Sequence, residues 1–191
     1  MFPRGSWGTA SSCRGAMRRI KRNAFISSLV AMAVVIHSIE MFIPSPSPWL
    51  RFGFANIIAL TAIALFGLRV GLLVTILRVF LGTILMGTFL TPAFVLGMGG
   101  GIGSTLVMGI AYRQFKAAFS LVGISVMGAY AHNIVQLALV YFLFIRHSEV
   151  FYVLPVLLLF GILTGILNGI AATYLIAHLA RFSFVQLDSI S

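Results

Sequence analysis

Glu40, Glu149 and Asp188 are the only acidic side chains of this 191-residue chain, so chemistry that needs several carboxylates is excluded. Glu40 ends a long apolar stretch, three residues after His37, so both side chains share one helical face. The other polar residues in apolar surroundings are Asn56, Arg78, the group His132, Asn133 and Gln136, and Asn168. His132 and Gln136 are one helical turn apart. No nucleophile–base pair stands out, and His37 and His132 lack the HxxxH or HxxH spacing of a metal site. What remains is recognition, in which a carboxylate, a guanidinium, an imidazole and several amides hold a solute by charge and hydrogen bonds. Ionisable side chains inside a membrane are costly, face the bundle interior and pair. Glu40 is the carboxylate placed to neutralise Arg78, so a structural ion pair and a ligand contact are both open for these two. For Asn56 and Asn168 the competing role is hydrogen-bonded glue between helices. For His132 and Gln136 ligand contact is the favoured reading.

The elements that must carry these residues are apolar and long. Hydrophobic residues make up 60% of the chain and charged residues 8%, with a mean hydropathy of +1.09. A soluble domain is about 45–50% apolar and about 25% charged, so this is an integral membrane protein. The spacing predicts six helices, at about 24–43, 55–68, 70–86, 93–112, 119–145 and 154–180. Residues 1–23, basic and rich in Gly and Ser, are expected to form a disordered tail, and 181–191 a polar C-terminal tail. A start at Met17 is an alternative to Met1. Pro44, Pro46 and Pro48 cannot continue the first helix, and residues 44–54 read as an interfacial loop carrying Trp49, Arg51 and Phe52. Cys13 is the single cysteine, which excludes an internal disulfide.

The net charge of +10 does not point to nucleic acid, because of where the cations lie. Arg4, Arg14, Arg18, Arg19, Lys21 and Arg22 precede the first apolar stretch. With them on one side, alternate loops add Arg69, Arg113, Lys116 and Arg181, against Arg51 and Arg146 on the other. Ten cations against two predict both termini in the cytoplasm, an even number of crossings and a multi-pass protein of the inner (cytoplasmic) membrane.

Two glycine tracts mark close contacts. Gly97, Gly99, Gly100, Gly101 and Gly103 crowd the fourth helix with GxxxG spacings. Tight helix packing is the leading reading, and a broken helix facing a ligand is the alternative. Gly161, Gly165 and Gly169 recur at every fourth residue of the last helix and must face another helix.

Several local motifs carry a resemblance. They are Ile39-Glu40 before the Pro-rich loop, Phe54-Ala55-Asn56, Leu77-Arg78-Val79, the run from Gly87 to Phe94, and Ala131-His132-Asn133 followed by Gln136. Together they resemble the family called heptaprenyl diphosphate synthase component I, or Gx transporter family, over roughly residues 24–180. That family is similar to the six-helix S components of energy-coupling factor transporters. The resemblance implies a lid at residues 44–54 and a pocket drawing on Glu40, Asn56, Arg78, His132, Gln136 and Asn168. It also implies a first helix that offers small residues to a partner subunit. Here that helix has Ala24/Ser28 and Ser27/Ala31, while the strict Ala-xxx-Ala, Ala55/Ala59, is on helix two.

The expectation is therefore an all-α bundle that binds a small molecule for uptake, vitamin-, flavin- or isoprenoid/quinone-precursor-like. Its partners would be the lipid bilayer, the ligand and a second membrane subunit, with no nucleic acid, no cofactor and no metal. The alternative is a structural or accessory subunit of a redox or quinone/isoprenoid-related complex. Enzyme activity is not expected. Prenyl diphosphate synthases resemble one another in two aspartate-rich motifs that hold Mg²⁺, and the one aspartate here, Asp188, lies in the tail.

Overall fold

The computed structural model describes residues 7–42, 53–116 and 118–181. Among them every regular element is helical: α1 (Trp7–Phe42), α2 (Ala55–Phe66), α3 (Leu68–Leu85), α4 (Pro92–Phe115), α5 (Leu121–Leu143), a 3₁₀ turn (Ser148–Val153) and α6 (Leu154–Arg181). Five helices are long and apolar enough to cross a membrane, and α2 falls short at 12 residues. At 1.5 Å per residue, α2 measures about 18 Å, against a hydrocarbon core of about 30 Å.

The position of α2 explains how so short a helix persists. It packs on α1, α3, α4 and α6, while the long helices follow one another around it as α1–α3–α4–α5–α6. A helix that is apolar on every side is stable where every side is covered. Ile58 and Ala62 join Leu29, Ala33 and Val74 in one core cluster. Ala59, Leu60 and Ile63 join Met108, Ile124 and Ala172 in another. Ala55 and Ala59 are both fully buried inside the bundle, so that small-residue pair packs within the protein. On α1, Ala24, Ser27, Ser28 and Ala31 are exposed. Large side chains on the outside, such as Leu159, Leu163 and Leu167 of α6, form an apolar surface that suits lipid.

Element ends follow local chemistry. Gly67, at φ +88°, ends α2 and starts α3, because that left-handed φ costs a glycine little. The break therefore falls at Gly67, and Arg69 lies in the first turn of α3. Pro92 opens α4, where its missing N–H is no loss. The Ser120 hydroxyl accepts from the Gly123 N–H to cap α5. Phe80, Phe89 and Phe94 stack edge to face across the α3–α4 turn. Between α5 and α6, residues 145–147 form a short loop and Ser148–Val153 the 3₁₀ turn. The N-terminal segment departs most from expectation. It is helical from Trp7 onward, so its basic residues extend α1 in place of a disordered tail. Ala, Met, Arg and Lys favour helix, and the glycines are single interruptions that cost about 1 kcal/mol each.

Candidate functional site

Three helices send polar side chains to the short stretch Gly53–Asn56 at the entrance to α2. From α1, the Glu40 carboxylate accepts the Phe54 N–H at 2.6 Å. From α6, Asn168 donates to the Gly53 carbonyl at 3.0 Å. From α3, the Arg78 guanidinium donates through Nη2 to Asn56 Oδ1 at 2.7 Å. Asn56 itself sits in the first turn of α2, beside Gly53. A side chain at Gly53 would crowd the Asn56 amide at 3.3 Å and reach the Asn168 amide at 3.8 Å, and its φ of +68° also favours glycine.

Arg78 is 4% exposed, and its Nε has no hydrogen-bond partner among the described residues. The Glu40 charge attracts it through space. The hydrogen bond to the guanidinium, however, ends on Asn56. The pair expected from charge alone is thus divided, with Glu40 holding a backbone amide and Asn56 holding the arginine. An amide oxygen within 2.7 Å takes one of the five N–H donors of a guanidinium.

A second polar group approaches from α5 and meets the glycine tract of α4. A Cβ on Gly100 would lie 2.9 Å from both the Gln136 Cγ and the His132 Cε1. A Cβ on the next residue, Gly101, would lie 3.0 Å from Thr75 and 3.7 Å from Arg78 Nη2. Consecutive residues of a helix point about 100° apart, so α4 presents bare backbone to α5 and to α3 at one level. Between Arg78 and the His132–Gln136 pair runs this side-chain-free strip, and α4 remains a continuous helix across it. Just beyond, Thr105 donates to the Gly101 carbonyl at 2.8 Å and lies 2.8 Å from the Thr75 hydroxyl. With the Thr105 proton so committed, Thr75 is the donor between the two hydroxyls.

Gln136 also lines a cavity of about 220 Å³ between α5, the 3₁₀ turn and α6, with Val140, Ile145, Val153 and Leu157 among its walls. Its amide is the one polar side chain in that lining. Asn133 points elsewhere, donating to the Leu157 carbonyl of α6 at 2.7 Å. It reaches that carbonyl across Gly161, whose Cβ would sit 2.9 Å from the Asn133 amide. Gly165 and Gly169 continue the face, against Val126 and Val122 of α5.

Glu40, Asn56, Arg78 and Asn168 therefore meet at one place, and His132 and Gln136 flank it across α4. His37 turns instead to Gly82 of α3, where a Cβ would strike its ring. Trp49, Arg51 and Phe52, with the rest of the lid at 44–52, lie outside the described residues. Two participants were not read from sequence: the Gly53 carbonyl and the Phe54 amide, both backbone groups. The signal available for them was the glycine directly before Phe54-Ala55-Asn56. Among the described residues, no three His, Cys, Asp or Glu side chains gather as a metal site.

The motifs that supply these contacts fall within one family. The family described as Heptaprenyl diphosphate synthase component I matches residues 29–175. The chain belongs to this family. The matched span runs from the core-facing part of α1 to the last turns of α6, and so takes in every residue of the polar cluster. No curated protein and no solved structure matches the chain. This member of the heptaprenyl diphosphate synthase component I family is an apolar helical bundle with a polar cluster around the start of α2.

Proposed function

We propose that this protein is a membrane-embedded binding subunit for uptake of a small molecule, of the S-component type. The ligand class is vitamin-, flavin- or isoprenoid/quinone-precursor-like. The observation that carries the reading is Arg78, a buried guanidinium with one amide acceptor and an unmatched Nε. Leaving donors of a buried charge unsatisfied is costly, and an acceptor group on a ligand would offset that cost. The cavity at Gln136 supports the reading, since a mostly apolar pocket with few polar groups is the usual form of a small-molecule site. In this reading the termini are cytoplasmic, α2 counts as a crossing and the inner membrane is the location, on the ten-to-two bias of cations. We assign the chain no catalysis of its own. Mg²⁺-dependent diphosphate chemistry needs clustered carboxylates, and Glu40 is fixed on a backbone amide.

The test is the thermal unfolding of purified protein against a panel of vitamins, flavins and quinone precursors. A bound native-state ligand must raise the midpoint. One class is expected to do so, and Gln136→Leu and Arg78→Lys are expected to weaken the rise. A panel without any shift refutes the reading.

A second reading, an accessory subunit of a redox or quinone/isoprenoid-related complex, draws on a different observation. Glu40, Asn133 and Asn168 each bond to the chain's own backbone, as side chains that hold helices together do. Copurification with partner proteins, alongside a silent ligand panel, favours it.

A further inference from the structure

At the end of the bundle away from Gly53, the last turn of α2, the Gly67 break, the start of α3 and the last turns of α4 enclose a groove of about 670 Å³. Phe66, Leu68 and Ile110 give it apolar walls, and Arg69, Arg113 and Lys116 bring three cations to it. All three are exposed, and no lining residue is acidic. Among the described residues none of the three has a carboxylate partner. Of the carboxylates in the chain, Glu40 is engaged at the Gly53 end and Glu149 lies in the 3₁₀ turn that precedes α6. Asp188 lies outside the described residues.

Arg113 and Lys116 close α4, where cations suit the negative end of a helix. Arg69 stands in the first turn of α3, where helix electrostatics disfavour a cation. Its place is accounted for by the groove it shares with the other two. Three like charges at one opening repel, and an anion relieves them. The groove lies where α2 and α4 end and α3 begins, which in the topology proposed above is the depth of lipid headgroups. Apolar walls under a cationic rim match a molecule with an apolar body and an anionic head.

We propose that this groove is a binding site for an anionic lipid, its phosphate head held by Arg69, Arg113 and Lys116 and its chain lying along Phe66, Leu68 and Ile110. It is separate from the polar cluster, and neither site depends on the other.

The test uses full-length protein in a neutral detergent, titrated with phosphatidylglycerol, phosphatidylcholine or inorganic pyrophosphate while the unfolding midpoint is read. Phosphatidylglycerol is expected to raise the midpoint saturably by several degrees, and the other two are not. The triple variant Arg69→Ala, Arg113→Ala, Lys116→Ala is expected to lose that rise. The charge-matched variant Arg19→Ala, Lys21→Ala, Arg22→Ala, altered at exposed positions of α1, is expected to keep it. The proposal is overturned by no rise with phosphatidylglycerol, or by an equal rise with phosphatidylcholine. A rise with pyrophosphate points to a free-anion site and also overturns it. So does equal loss, or equal retention, in the two variants, which reads as diffuse attraction between a basic surface and an acidic lipid.

Discussion

Arg78 and Asn56 bind each other inside the bundle, yet their sequence surroundings point Arg78 toward Glu40. Opposite charges are the obvious partners for a reader of sequence. The fold places Asn56 within 2.7 Å of the guanidinium and commits Glu40 to the N–H of Phe54. An N–H of the first turn of a helix, or just before it, has no intrahelical acceptor, so a carboxylate there satisfies a need that side-chain spacing does not display. That the polar residues matter was legible, since an isolated Arg or Asn in an apolar run stands out. Their partners were not, because two of them are backbone groups. If Asn56 is the acceptor that Arg78 depends on, their substitutions must couple. Asn56→Ala and Arg78→Ala are each expected to destabilise the protein, and the double variant less than the sum, by about 1–3 kcal/mol. Unfolding of the four proteins in detergent measures this, and additive losses contradict the pairing.

The helices show which sequence signals survive folding and which are overruled. Apolar length located α3, α4, α5 and α6 to within about three residues at each end, because a bilayer imposes that length. Basic composition does not keep Trp7–Asn23 from forming helix, since charge does not prevent helix where propensity favours it. The expected bounds 55–68 and 70–86 put the break between α2 and α3 at Arg69, and the actual break is Gly67, whose backbone conformation is one that glycine adopts readily. The glycine tracts were legible as contact faces, but not what they contact. On α4, Gly100 and Gly101 take polar side chains from α5 and α3. On α6, the stripe takes the backbone of α5: a Cβ on Gly165 would lie 2.7 Å from the Val126 Cα and 3.2 Å from its nitrogen. Backbone cannot rotate away as a side chain end can. Gly165→Ala is therefore expected to push α6 off α5 and to cost about 1–3 kcal/mol. Gly15→Ala serves as the contrast, because nothing lies within 4 Å of its Cβ position. There the gain in helix propensity, up to about 1 kcal/mol, stands unopposed. Unfolding midpoints that fall for both variants would show that the α5–α6 contact is not what sets the first.

At the scale of the molecule, the question is whether a 12-residue helix wrapped by longer ones counts as a crossing. The cation bias favours a crossing, while α2 by itself falls short of the length that a crossing helix needs. If α2 crosses, the N-terminal half of α1 and the α4–α5 connection lie on one side, and the α5–α6 connection on the other. If α2 does not cross, everything after it inverts, which leaves Arg113 and Lys116 on the side opposite Arg19, Lys21 and Arg22. The positive-inside bias would then be split. Three residues report on this: Arg19, Lys116 and Arg146, all exposed. In a Cys13→Ser background, which removes the single native cysteine, each is replaced in turn by cysteine and offered a membrane-impermeant maleimide on intact cells. Arg146→Cys is expected to label at once, and Arg19→Cys and Lys116→Cys only after permeabilisation. Opposite behaviour of Arg19→Cys and Lys116→Cys would mean that α2 enters and stays within the bilayer. The Gly53–Asn56 cluster would then begin a re-entrant helix.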